Sequence, residues 1–264
     1  MANPDARLFC LAILIVLLFC WPARAVPSAP WPAGNAINAI DQSPKAPSLA
    51  AFRGRIYMVW KADDRSNRIY IAYTWDGVHW SRGHPINTID ATPETPALVA
   101  SINKLYIAFK ANDGSHGLRI TASDEPSIRW PASHEINSLS RTAAGPVLYN
   151  FNGHICLAWT AEGTNLINFL ELSEPSLTGL GHRINTDDRT TKSPALASWN
   201  GKLYLAWKTG GDRIFIASSR DGATWSESRP INSDDQHLGI RFCLPPHIDS
   251  TSRFSRMTLL TRFI

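Results

Sequence analysis

The sequence predicts an all-β chain, a β-propeller of four-stranded antiparallel blades with four full blades and a degenerate fifth closing one. Three observations carry this. A Pro-to-aromatic offset of 13 residues occurs four times, at Pro47–Trp60, Pro96–Phe109, Pro146–Trp159 and Pro194–Trp207. The prolines are spaced 49, 50 and 48 residues apart. An Ile-Asn pair marks the end of each unit, at Asn38, Asn87, Asn137, Asn185 and Asn232. A period near 48 without helical patterning points to radial blades, not to a helical solenoid.

Each unit reads as four strands, seen most plainly in the last. Strand one covers 194–199 and is small and apolar, as a crowded axis requires. Asn200-Gly201 then forms a two-residue hairpin turn, because both central positions of a type I′ turn need positive φ. Asn152-Gly153 repeats it, with weaker versions at Arg53-Gly54 and Ile102-Asn103. Strand two covers 203–207, strand three 213–218 and strand four 225–231. Such a sheet cannot bury both faces alone, and neighbouring blades cover them.

Composition excludes other classes. The 264 residues include 16 Gly, 18 Pro and 10 Trp, with only 18% charged. That excludes a disordered polyion, a collagen and a coiled coil, and the recurring breakers disfavour a helical bundle. The net charge of +4 sits largely at the termini: Arg7 and Arg24 at one end, Arg241, Arg253, Arg256 and Arg262 at the other. A nucleic-acid partner needs a concentrated basic face, and residues 26–237 are close to neutral. No nucleic-acid partner, cofactor, metal site or catalytic residue is assigned.

The amino terminus reads as an export signal over residues 1–25. Residues 8–21 form an apolar run of 14 residues, short of the roughly 20 a membrane span needs. Arg7 precedes it, and Ala23 and Ala25 stand at −3 and −1 of a cleavage site before Val26. An uncleaved anchor is the alternative. The mature chain carries no further span and is expected outside the cytoplasm, secreted or periplasmic, with oligomerisation left open. Cys156 and Cys243 remain after cleavage. A disulfide between them and a buried free thiol are the two alternatives, and the apolar surroundings of Cys156 favour the thiol. The propeller repeats occupy 26–236. Residues 31–38 match a fourth strand with no strands before it, so residues 237–264, a divergent tail, are expected either to supply a closing blade or to be unrelated sequence.

Between strands three and four, Ser219, Asp221, Gly222 and Trp225 recur at the spacing of Thr74, Asp76, Gly77 and Trp80. This resembles the Asp box of bacterial-neuraminidase-repeat, sialidase-like propellers, one residue shorter than the usual form. The resemblance implies a structural turn. The carboxylate, expected to be a buried acceptor, receives backbone N–H groups, glycine supplies positive φ, and Trp fills the gap between sheets. The repeats are most similar to those of bacterial propeller lectins.

Topology places the strand two-to-three loops and the blade-to-blade loops on one face. Ligand candidates there are Trp60, Lys61, Asp64, Asp90, Lys110, Asp113, Asp188, Trp207, Lys208 and Asp212, with Asp41 at a matching position. Aromatic faces stack on sugar C–H surfaces, while Lys and Asp bind hydroxyls. Recurrence suits a secreted lectin whose weak repeated sites gain avidity. A sialidase-like glycosidase is the first alternative, but its Phe-Arg-Ile-Pro-type motif and Tyr–Glu pair are not found. A protein-binding scaffold is the second.

Overall fold

The computed structural model describes residues 36–231. They form 16 strands in four separate four-stranded antiparallel sheets, and no helix occurs among the described residues. The first blade is β1 (Ser48–Phe52), β2 (Arg55–Lys61), β3 (Ile69–Thr74) and β4 (His84–Pro85). The second is β5 (Ala97–Ala100), β6 (Leu105–Lys110), β7 (Leu118–Ser123) and β8 (His134–Glu135). The third is β9 (Val147–Phe151), β10 (His154–Thr160), β11 (Ile167–Leu172) and β12 (His182–Arg183). The fourth is β13 (Ala195–Trp199), β14 (Lys202–Lys208), β15 (Ile214–Ser219) and β16 (Arg229–Pro230).

The first strands of consecutive blades lie side by side, β1 on β5, β5 on β9 and β9 on β13. They are the inner strands, and the chain is a β-propeller. The hairpin turns follow the expected chemistry: Arg53, Asn152 and Asn200 have φ of 47°, 53° and 53°, each followed by a glycine at positive φ. The Ile102-Asn103 turn differs. No residue there has positive φ, and the loop closes through the Ser101 N–H on the Lys104 carbonyl. The fourth strands are shorter than the sequence suggests. Only two residues pair in each blade, with isolated bridges from Thr74 to Trp80 and from Ser219 to Trp225 ahead of them.

Core burial follows blade position. Side chains alternate along a strand, so a blade covered on both faces is apolar on both. β6 is buried throughout, and β10 is buried except at His154. In the fourth blade, β14 alternates between buried and partly exposed side chains, and β13 is largely exposed. The clusters lie between blades: Ile86 packs with Phe52, Val59, Leu98 and Phe109 between the first and second. Leu157, Leu148, Ile120 and Trp159 pack between the second and third. Phe169, Leu203, Leu205 and Trp225 pack between the third and fourth. Ile37 packs on Met58, Trp60 and Ala72, on the other face of the first blade. The expected export signal, the start of the leading fourth strand, the tail and Cys243 lie outside the described residues. Cys156 is a buried free thiol, and burial pushes it up to about 12.

The turns at 74–80 and 219–225 are built as capped loops. Asp221 Oδ1 accepts the N–H groups of Ala223 and Thr224 at 3.0 and 2.8 Å, while Ser219 Oγ accepts that of Gly222 at 2.8 Å. The indole of Trp225 donates to the Gly222 carbonyl. Asp76 Oδ1 takes Val78 and His79 in the same way. One expectation is corrected: both carboxylates stand in solvent instead of being buried, because the loop projects beyond the sheets, while Trp225 is buried and Trp80 partly so. The Thr224 N–H first, then the Ser219 hydroxyl, hold the Asp221 carboxyl below its ordinary 3.8. A depressed carboxyl stabilises the fold above that value and loses its contribution as pH falls through the folded one. A carboxyl-carbon NMR titration is therefore expected to give Asp221 a midpoint below 3.8. A midpoint at or above it would contradict the capped geometry.

Candidate functional site

The clefts between blades arise from one repeated turn. In the first, Asn38 Oδ1 accepts the N–H groups of Ile40 and Asp41 at 2.9 and 2.7 Å, and its amide donates to Asp41 Oδ2 at 2.6 Å. Asn87 does the same for Ile89 and Asp90. Asn137 does so for Leu139 and Ser140. Asn is suited here because its short amide mimics a backbone turn. Each turn then reaches the following blade. Asp41 Oδ2 accepts the Gly83 N–H at 2.9 Å, Asp90 accepts the Ser133 N–H and hydroxyl at 3.0 and 2.5 Å, and Asp188 accepts the Ser228 hydroxyl at 2.6 Å.

Beside three of these turns opens a cleft. The first, about 520 Å³, is lined by Ile40, Asp41, Trp60, Asp64, Tyr70, Arg82 and Gly83. The second, about 390 Å³, is lined by Ile89, Asp90, Phe109, Asp113 and Arg119. The third, about 490 Å³, is lined by Leu139, Ser140, Trp159, Glu162, Asn168, Gly181 and Arg183. The plan is constant: an aromatic ring from the end of strand two as the floor, an exposed aliphatic side chain from the turn as one rim, and polar side chains from the strand two-to-three loop as the other. The blade-to-blade and strand two-to-three loops thus meet on one face, as topology requires.

The expected ligand residues divide. Trp60 and Asp64 lie together in the first cleft, and Asp90 and Asp113 line the second. The Ser66 hydroxyl holds the Asp64 carboxyl below its ordinary value, and Ser115 does so for Asp113. Both therefore stand as carboxylate acceptors. Other candidates are engaged within the fold. Asp90 and Asp188 are buried and tie blades together. Lys110, 8% exposed, donates to the Ala143 carbonyl in the loop leading to the third blade, because the second blade is covered on both faces. Lys208 pairs with Asp212 at 2.6 Å across its own loop. Trp207 is buried and stacked on Phe215, with ring centroids 6.3 Å apart. Lys61 ends β2, half-buried, outside the first cleft's lining.

Several lining residues were not singled out from sequence: Ile40, Ile89 and Leu139 on the rims, and Arg82 and Arg183 on the walls. Their signal is the repeat itself, since an exposed aliphatic stands two residues after Asn in three units. Among the described residues no group of three metal-binding side chains occurs, and no helix is long and apolar enough to cross a membrane.

Fold and clefts together define a β-propeller with repeated inter-blade pockets. No family model matches the chain, and no curated protein matches it in sequence. Solved structures do. The chain is similar to the Bacteroides ovatus xyloglucan PUL GH43B at 15% identity and a TM-score of 0.55, covering 75% of this chain and 43% of that one. It is similar to a xylan β-1,4-xylosidase from Bacillus halodurans at 19% identity and 0.51, covering 72% and 42%. An exo-β-1,3-galactanase from Phanerochaete chrysosporium gives 13% and 0.55, covering 72% and 50%. The chain thus spans half or less of these proteins' length. At such identities the likeness shows the fold. That fold is the β-propeller, of which the described residues form four blades, and the resemblance to Asp-box proteins rests on the turn motif.

Proposed function

We propose that the protein is a carbohydrate-active propeller that engages glycans in its inter-blade clefts. The observation that carries this is the repetition of one cleft plan three times, each with an aromatic floor, an aliphatic rim and polar loop groups. Flat aromatic and aliphatic surfaces suit the C–H faces of a sugar, and a carboxylate such as Asp64 suits its hydroxyls. Multiple shallow sites favour a lectin-like mode, in which avidity multiplies weak contacts. The export signal read in the sequence goes with a glycan outside the cell. Sequencing the mature amino terminus tests that part, with Val26 the expected first residue.

Glycoside hydrolysis is the second reading, favoured by the names of the similar structures, a xylosidase and a galactanase. It would need one carboxyl kept protonated as general acid beside a second carboxylate about 5–9 Å away. The four inner strands hold no Asp or Glu, so the acids would come from loops, and Asp41, Asp63 and Asp64 in the first cleft are the available set. Asp64 is shifted in the direction opposite to that of a general acid.

A glycan array, followed by incubation with xylan and β-1,3-galactan and assay of reducing ends, separates the two. Saturable binding without release is the expected result. Release of sugar would establish the hydrolytic reading, and neither binding nor release would sink both.

A further inference from the structure

We infer that the clefts fall into two classes, and that the first and third receive a saccharide while in the second and fourth the polar groups are taken up by the protein's own side chains. This rests on the reading of the clefts as glycan sites.

The division is written at one position of the repeat. Gly83 and Gly181 stand on the fourth-strand side of the first and third clefts, and Ser133 and Ser228 stand there in the second and fourth. Where glycine stands, the floor ring reaches across it. An added β-carbon would lie 2.5 Å from the Trp60 ring edge at Gly83 and 2.0 Å from that of Trp159 at Gly181. Ordinary van der Waals contact begins near 3.4 Å, so a side chain there excludes an indole in this placement; in the fourth blade, where Ser228 stands, Trp207 is stacked on Phe215. Glycine thus lets a full indole floor the cleft.

Where serine stands, the cleft's polar groups satisfy one another. Asp90 accepts from Asn87 and the Ser133 N–H on one oxygen and from the Ser133 hydroxyl on the other. Asp188 likewise takes Asn185 and the Ser228 hydroxyl. In the first cleft, by contrast, both contacts of Asp41 fall on Oδ2, and Oδ1 meets no donor among the described residues. In the third, Ser140 replaces the carboxylate.

Arg119 engages the wall of the second cleft further. It occupies the strand-three position held by Tyr70 in the first blade and Asn168 in the third. Its guanidinium donates to the Ser133 hydroxyl at 2.7 Å and to the Ser133 carbonyl at 2.6 Å. A cation so placed covers the wall that a sugar hydroxyl would address. The floor is Phe109, one ring smaller than Trp, and the cleft is the smallest of the three.

The backbone amides of Ala62, Ala111 and Ala161 report on the three clefts, since each lines its own and bonds the start of the following strand in the same way. NMR titration of the whole chain with D-galactose and with D-xylose is the test. Saturable shifts at Ala62 and Ala161, with Ala111 still, are expected. Arg119→Asn together with Ser133→Gly, which copies the third blade at both positions, should bring Ala111 into the same response. Arg119→Tyr together with Ser133→Gly, which copies the first, serves if the Asn variant does not fold. A shift at Ala111 in the unmodified chain, or none at Ala111 in a folded variant whose other clefts respond, would overturn the two classes. Stillness at all three would remove the glycan reading itself, and this inference with it.

Discussion

Replacing Trp159 by Ala is expected to destabilise the folded chain by about 3–5 kcal/mol, the range for truncating a buried Trp. In a propeller of this size that lowers the melting temperature by roughly 6–20 °C. Trp159 is 1% exposed and belongs to the cluster between the second and third blades, with Leu148, Leu157 and Leu170. Its ring also covers Gly181, so truncation opens a void that reaches the third cleft. Little can collapse into it, because both neighbouring strands are held in register on either side of β10. Its indole nitrogen has no hydrogen-bond partner among the described residues. Trp159→Phe therefore loses no hydrogen bond and places there the ring that Phe109 supplies in the second blade. It should cost distinctly less. Thermal unfolding of the two variants checks this, and equal losses would mean that the indole N–H, and not the ring volume, holds the site.

The blades were legible because they repeat. A constant offset from proline to aromatic fixes strand lengths, and Asn-Gly pairs fix where strands turn, so four sheets follow from local chemistry alone. What each repeated residue does was less legible, because burial depends on neighbours the sequence does not name. Lys61, Lys110 and Lys208 occupy one repeat position, yet Lys110 is buried and bonded while Lys208 is exposed and paired with Asp212. The difference is that the second blade has a blade against each face. Asp41, Asp90 and Asp188 likewise share one position. Whether such a carboxylate faces a ligand or a neighbour depends on a residue about 40 places further on, Gly83, Ser133 or Ser228. Positions that vary against a constant background, such as Tyr70, Arg119, Asn168 and Phe215, were the overlooked signal, since the fold does not require any one of them.

The second large effect is expected at Asp90. Asp90→Ala removes the acceptor for two buried donors, the N–H and the hydroxyl of Ser133, and one for the amide of Asn87. Asp90 is 4% exposed and Ser133 is 6% exposed, so water cannot readily replace the lost partner. A buried donor left unpaired costs about 1–3 kcal/mol, and two of them predict a loss of about 2–6 kcal/mol. Asp221→Ala should cost much less, because that carboxylate stands in solvent and its turn donors can turn to water. The pairwise role is separable from mere burial by a double-mutant cycle with Ser133→Ala. If Asp90 and Ser133 act together to fasten the first blade to the second, the double variant should be more stable than the sum of the two single losses allows, by more than about 0.5 kcal/mol. Denaturant midpoints of the four proteins measure this. Additive losses would show that the two residues are not coupled, and would return Asp90 to the cleft as a free carboxylate.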